Sequence, residues 1–144
     1  MKIYYIFCYL LSLKQILAFS RIDNKNLINR NSKSDFDGVL TANKLTEWGY
    51  GPSTKNMYIN SLGIKTIAPN TFVRYQNLIY LDFSFNEIEE VKVGYFKGLT
   101  NLDGFDFRNN KISFIEENSF SELGKLSYLD LGHNKIEYIS SNTL

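Results

Sequence analysis

The chain has 144 residues, and its 16 basic and 15 acidic side chains give a formal net charge of +1. A chain so close to neutral has no general attraction for nucleic acid or acidic lipid, so we expect no nucleic acid partner. Its single cysteine, Cys8, excludes a framework of internal disulfides.

The N-terminal segment MKIYYIFCYLLSLKQILAFS, residues 1–20, has the pattern of a secretory signal peptide. Lys2 provides the charged start, a mostly apolar run covers residues 3–13, and Ala18 and Ser20 provide the small side chains of a cleavage site. The run is too short to span a bilayer comfortably, which favours cleavage near Ser20 over a retained signal anchor. Cleavage would remove Lys2 and Lys14 and change the net charge to about −1. We therefore expect a protein that is secreted or lies on the extracellular side of the cell surface.

Two segments follow the signal. Residues 21–35 are rich in Asn, Lys, Ser and Asp and have few apolar side chains, so we predict a flexible leader. Residues 36–53, FDGVLTANKLTEWGYGPS, are more apolar and contain no cysteine. They lie directly before a repeat pattern, where an N-terminal cap must cover the first unit. We interpret Trp48 as an aromatic residue of the cap core rather than a ligand contact.

From residue 54 a pattern recurs with a fixed period and without insertion or deletion, in units 54–77, 78–101, 102–125 and a truncated 126–144. The last unit, LSYLDLGHNKIEYI, shows a short alternating apolar run, an asparagine and two spaced isoleucines. A fixed period of this length indicates stacked units whose short strands pair in parallel, because no unit buries its apolar edge alone. We predict two internal ladders, one of side-chain amides and one of aromatic rings, formed by Asn86, Asn110, Asn134, Phe72, Phe96 and Phe120.

The motif L-x-x-L-x-L-x-x-N-x-I-x-x-I, followed by the repeating phenylalanine and leucine, resembles the typical 24-residue class of leucine-rich repeats. The resemblance implies an α/β solenoid, a curved right-handed coil with a parallel β-sheet on its concave side and irregular or short helical segments on its convex side. It also implies an extracellular setting, since this class occurs mainly in proteins such as Toll-like receptors, Slit-like guidance proteins and matrix proteoglycans. None of these has a catalytic centre in its repeats.

The outward strand positions form the candidate binding surface. The tyrosines suit an anchoring role because they combine a large area with a polar tip. The aspartates fall in one column, about 4.8 Å from one to the next. Negative charges so close together attract cations, although aspartate is common at this position in the repeat class. A glycine between two tyrosines predicts a shallow notch. The candidate residues are Tyr58, Tyr80, Asp82, Gly104, Asp106, Arg108, Tyr128 and Asp130.

We therefore expect a non-enzymatic ectodomain that recognises a protein partner of unknown identity on its concave sheet, without cofactor or metal. The alternative is a structural spacer or dimerisation module of a larger receptor or matrix protein. Catalysis is less favoured, because the only histidine, His133, falls in a turn at a strand exit. The fourth unit stops before it is complete, so we expect a fragment of a longer protein, whose membrane contact would come from a C-terminal anchor.

Overall fold

The computed structural model describes residues 36–139 and 142–143. The predicted signal peptide, the predicted leader and Leu144 lie outside the described residues. Within the described ranges the elements are, in chain order, β1 (Val39–Leu40), α1 (Ala42–Glu47), β2 (Asn56–Tyr58), β3 (Thr66–Ile67), β4 (Tyr80–Asp82), β5 (Glu90–Val91), β6 (Gly104–Asp106), β7 (Phe114–Ile115) and β8 (Tyr128–Asp130).

Each repeat contributes one three-residue strand to a four-stranded parallel sheet with the order β2-β4-β6-β8. The register advances by one whole repeat at each step, so that Leu81 faces Met57 on one side and Phe105 on the other. On the opposite side of each coil, two-residue strands pair β1 with β3 and β5 with β7. The expected solenoid with its parallel concave sheet is confirmed. Its convex side carries turns and short strand pairs, and no helix occurs within residues 54–139.

The central residue of each sheet strand points into the solenoid and is almost fully buried. Aromatic rings from different repeats fill the space behind them. The rings of Phe96 and Phe120 stack at 5.5 Å between centroids, and Phe96 also meets Phe105 edge-on at 5.0 Å. Burial of such rings stabilises the fold together with the aliphatic core, because each ring removes a large apolar area from water.

The segment before the first repeat folds into a small cap. Thr41 is the N-cap of α1, and its hydroxyl oxygen accepts a hydrogen bond from the backbone N–H of Lys44 at 3.1 Å. Gly49 follows the helix with φ 86°, and the backbone N–H of Tyr50 donates to the carbonyl of Leu45, which ends the helix in a Schellman motif. The half-buried Trp48 packs its ring against another cap aromatic, Phe36, at 5.5 Å.

Candidate functional site

The outward side chains of the four-stranded sheet, here called the sheet face, lie in two columns. Pairing of the parallel strands places the first and third residue of each strand beside their equivalents in the next repeat. Since side chains alternate along a strand, both columns point away from the buried central residues. The first column contains Asn56, Tyr80, Gly104 and Tyr128, and the second contains Tyr58, Asp82, Asp106 and Asp130.

The notch expected at Gly104 is filled. A Cβ atom on Gly104 would lie 2.8 Å from Cδ2 of Tyr80, so the tyrosine ring extends over the glycine of the next repeat. The side chain of Arg108 also lies beside a glycine of the next repeat, at the ordinary contact distance of 3.7 Å from its Cγ to a Cβ on Gly132. The open notch was therefore a wrong expectation. It assumed side chains perpendicular to the sheet, whereas a ring beside a glycine gains contact area by leaning over it.

The aspartates of the second column also have a structural role at the strand exits. Each accepts a hydrogen bond from the backbone N–H two residues later, which satisfies a backbone donor where the chain leaves the sheet. The acceptor is Oδ1 in all three cases. The donor–acceptor distances are 3.0 Å for Ser84 to Asp82, 3.1 Å for Arg108 to Asp106 and 2.8 Å for Gly132 to Asp130.

Arg108 neutralises the middle of the acidic column. Its Nε and Nη2 donate to the two carboxylate oxygens of Asp106 at 3.0 and 2.6 Å, and Nε also lies 3.4 Å from Oδ2 of Asp130. Asp106 is only 4% exposed, whereas the side chain of Arg108 is 42% exposed. Burial of an unpaired carboxylate costs free energy, and the ion pair with Arg108 offsets part of this cost for Asp106.

Asp82 lies at the other end of the column, one strand further from Arg108 than Asp106. Its Oδ1 accepts the hydroxyl proton of Ser84 at 2.6 Å. Burial raises the pKa of Asp82, and the charge of Asp106 adds to this, while the two hydrogen bonds from Ser84 oppose it. Three carboxylates and one guanidinium leave the column with a negative charge when all are ionised.

Three tyrosines lie near these aspartates, Tyr58 in the same column and Tyr80 and Tyr128 in the first column. The rings of Tyr58 and Tyr80 lie 5.9 Å apart between centroids, at a tilt of 50°. The hydroxyl of Tyr128 donates to Oδ2 of Asp130 at 3.1 Å. Burial, followed by the nearby carboxylates, raises the pKa of Tyr128 to about 12, and the pKa of Tyr80 is raised for the same reasons. The tyrosines are thus held in place by neighbouring groups and by one another.

The repeated asparagines lie behind the sheet face, inside the turn that follows each strand. Oδ1 of Asn110 accepts from the backbone N–H of Ile88 at 3.1 Å, and Nδ2 donates to the carbonyls of Phe83 at 3.1 Å and Phe107 at 3.3 Å. One amide therefore joins two consecutive repeats. Equivalent bonds are made by Asn86 and Asn134.

A second amide ladder was missed in the sequence, although its regular spacing could have revealed it. Asn77 Nδ2 donates to the carbonyl of Pro52 at 3.1 Å, and Asn101 Nδ2 donates to the carbonyl of Gln76 at 2.8 Å. At the next equivalent position, Lys125 Nζ contacts Oδ1 of Asn101. These bonds tie together the turns that lead into the strands.

The turns that follow the sheet strands each contain a residue with positive φ, a conformation that is uncommon outside glycine. Two of these residues are Phe85, with φ 56° and an exposure of 58%, and His133, with φ 55°. The backbone N–H of Phe85 donates to the carbonyl of Arg108 at 3.0 Å, so this turn continues the pairing between repeats. His133 is exposed, as expected from its place in a turn.

Two other kinds of feature are absent from the part of the chain that the structure describes. Among those residues, no group of three or more His, Cys, Asp or Glu side chains could hold a metal ion. The same residues include no helix with the length and apolar character needed to cross a membrane.

Comparison with known proteins gave matches to repeat proteins. Residues 84–136 match the family model described as leucine rich repeat. Among the solved structures, 38 chains match, and one is the crystal structure of the TLR13-ssRNA13 complex. It is 31% identical, with a TM-score of 0.60, and the match covers 62% of this chain but only 13% of the other. No curated protein gives a significant match.

The expectation that nucleic acid is excluded as a partner is corrected by this comparison. TLR13, which is similar to this chain, was solved in complex with single-stranded RNA. The expectation was drawn from the near-neutral net charge, but contact with a phosphate backbone depends on local charge and shape at one surface. Net charge alone was therefore the wrong criterion.

Three observations agree on the repeat type and the fold. The family model covers the repeat at 102–125 and part of each neighbouring repeat, the similar solved structure shares the fold at a TM-score of 0.60, and the strands stack in a register of whole repeats. Residues 84–136 are leucine-rich repeats, and the described part of the chain has the leucine-rich repeat fold.

Proposed function

We propose that the chain is a binding module whose sheet face recognises a protein segment that presents a Lys or Arg side chain. The observation that carries this proposal is the composition of the sheet face. A column of three aspartates, Asp82, Asp106 and Asp130, with one guanidinium among them, lies beside tyrosine rings. A cation on the partner complements this charge, and the rings provide apolar area around it.

The order of the surface supports the same conclusion. Tyr80 rests over Gly104, Arg108 is held by three side-chain hydrogen bonds to Asp106, and Tyr128 donates to Asp130. Side chains that are already fixed lose less conformational entropy when a partner binds, which increases the net affinity. A preorganised face of this kind is more useful for recognition than for spacing alone.

The experiment starts with selection from a displayed library of random peptides against the full chain. We expect the selected peptides to be enriched in Lys and Arg. Their affinity should decrease on Asp82→Asn and should depend on salt, because the interaction is partly exposed. Tyr128→Ala should cost about 1–3 kcal/mol if this ring is an anchor. Glu137→Gln, which removes an exposed carboxylate outside the sheet, is the matched control.

A second candidate partner is single-stranded RNA, which the TLR13 structure contains. A single-stranded RNA oligonucleotide is therefore tested beside the peptides with the same variants. Binding of the RNA but of no peptide would contradict a protein partner. Peptide selection without enrichment, together with no RNA binding, would favour the alternative of a spacer or dimerisation module. The match covers only 13% of the TLR13 chain, so RNA binding by TLR13 is tested on this chain and is not transferred to it.

The location that we propose is the secretory pathway, leading to the extracellular side of the cell. The support is the charged start, apolar run and small-residue site of residues 1–20. Expressed in secretory cells, the chain should lose about 20 N-terminal residues, as expected for a signal of this kind. Mass spectrometry of the product from the medium or lumen tests this. Recovery of the protein from the cytosol with Met1 in place would contradict it.

The proposal of binding rather than catalysis rests on the site itself. Repeat solenoids of this class are typically not enzymes, and the exposed His133 lies outside the two columns of the sheet face. The hydroxyls of Ser84 and Tyr128 donate to the carboxylates of Asp82 and Asp130, and each of these carboxylates also accepts a backbone N–H at a strand exit, a structural role that accounts for these contacts.

A further inference from the structure

The N-terminal edge of the four-stranded sheet needs a partner for its backbone groups. Strand β2 pairs with β4 on one side and is the first strand of the sheet on the other. In a strand, successive residues direct their N–H and C=O groups to opposite sides, so those of Tyr58 face away from β4 when those of Met57 face it. An edge strand with unpaired groups is a template for pairing with another chain.

One side chain of the cap satisfies both groups. The hydroxyl of Tyr50 donates to the carbonyl of Tyr58 at 2.8 Å and accepts from the N–H of the same residue at 3.1 Å. A neutral phenol has one donor and acceptor lone pairs, so a single hydroxyl provides what an adjacent strand would provide. From this geometry we propose that Tyr50 is an edge lock, which takes the place of a further strand beside β2 and joins the cap to the first repeat.

The surroundings of Tyr50 fix the ring where the lock requires it. Tyr50 is 5% exposed, and its backbone N–H ends the cap helix by donating to Leu45. Its carbonyl accepts from the hydroxyl of Tyr75 at 3.3 Å, which connects it to the far side of the first repeat. Directly after it, Gly51 N–H donates to Oγ1 of Thr54 at 3.1 Å in a tight turn that leads into β2.

The protonation state agrees with this arrangement. Burial raises the pKa of Tyr50 above its usual value, and the hydrogen bond to Tyr58 opposes this. At neutral pH the phenol therefore keeps the proton that it donates to the carbonyl of Tyr58. A residue buried only as a core aromatic would need no such pair of contacts, and phenylalanine would fill the same space.

Tyr50→Phe tests the lock, since it keeps the ring and removes the hydroxyl. Hydrogen exchange of the Tyr58 amide, followed by NMR in the full chain, should become about tenfold faster, a factor that corresponds to about 1.4 kcal/mol. Tyr75→Phe is the matched control, because it removes a hydroxyl that bonds to Tyr50 but not to the strand. An unchanged rate in Tyr50→Phe, or an equal increase in Tyr75→Phe, would overturn the proposal.

A second measurement needs no variant and remains informative if Tyr50→Phe does not fold. In the unaltered chain, the hydroxyl proton of Tyr50 should exchange slowly with water and show a nuclear Overhauser effect to the amide proton of Tyr58. A hydroxyl proton that exchanges freely with water would show that the lock does not exist.

Discussion

The ring of Tyr80 covers Gly104 of the following repeat, so closely that a Cβ atom on the glycine would lie 2.8 Å from Cδ2 of the ring. The two residues occupy the same column of the sheet face and are paired in register. Gly104 does not have a positive φ, so its backbone conformation does not require glycine. A glycine fits here because it leaves space for the Tyr80 ring. The sheet face therefore has a fixed shape at this point.

Gly104→Ala should move the Tyr80 ring and reduce the free energy of unfolding by about 1–2 kcal/mol, because overpacking forces neighbours out of their preferred rotamers. Chemical denaturation measures this. The double variant with Tyr80→Ala should recover much of the loss, since the clash requires both side chains.

Gly124→Ala is the control for Gly104→Ala. Nothing lies within 4 Å of a Cβ at Gly124, and its φ is not positive, so the change should stay within about 0.5 kcal/mol. If both alanine variants are equally stable, the Tyr80 ring can move without loss of stability, and its position on the sheet face is not fixed.

Asn110→Leu should reduce the free energy of unfolding by about 1–3 kcal/mol, because the buried backbone groups that bond to this amide lose their partner. Those groups belong to two repeats, at Ile88 and at Phe83 and Phe107. Thermal melts compare this variant with Lys111→Leu. Lys111 is exposed and pairs with Glu87 at 2.9 Å, an interaction that contributes little at the surface. Equal losses would argue against a stabilising role for the amide.

The register of the sheet was predictable because the repeat period and the alternation of apolar residues act together. A fixed period without gaps places Tyr80 beside Gly104 and Gly104 beside Tyr128, whatever the conformation between them. Alternation then decides which side chains point inward. The same two facts predicted that the aspartates would share a column.

The direction of side chains along the solenoid was not predictable in this way. The repeat period and the alternation predict which residues are neighbours. They do not predict that Tyr80 leans over Gly104, or that each aspartate accepts a hydrogen bond from the N–H two residues later. Those outcomes depend on rotamers and local turn geometry. The role of Tyr50 was hidden for another reason, because it lies in the cap, before the repeats begin, and has no equivalent in other units for comparison.

The pKa of Tyr128 predicts a dependence of stability on alkaline pH. Its folded-state value is about 12, against 10.0 for an ordinary tyrosine. Between these values the unfolded chain loses the proton while the folded chain keeps it, so the free energy of unfolding decreases as pH rises from 10.0 toward about 12. Below pH 10.0 this contribution is constant.

Tyr128→Phe should reduce the slope of unfolding free energy against pH in that range, as measured by denaturation at a series of pH values. The difference from the unaltered chain isolates this residue from lysines and other tyrosines. Tyr138→Phe, at a side chain that is 77% exposed, controls for the loss of a hydroxyl. A slope unchanged by Tyr128→Phe would show that folding does not raise the pKa of this tyrosine.

Arg108→Lys tests whether the guanidinium is needed for its shape as well as its charge. Arg108 binds both oxygens of the buried Asp106 and reaches Asp130, whereas an ammonium group cannot form the paired, planar contact. We expect the variant to lose about 1–3 kcal/mol of stability, since the carboxylate at Asp106 loses a strong hydrogen bond in a site with little water. Denaturant unfolding against Arg74→Lys, a matched change at an exposed arginine, measures the effect. If the two variants are equally stable, charge alone suffices to stabilise the buried Asp106 carboxylate.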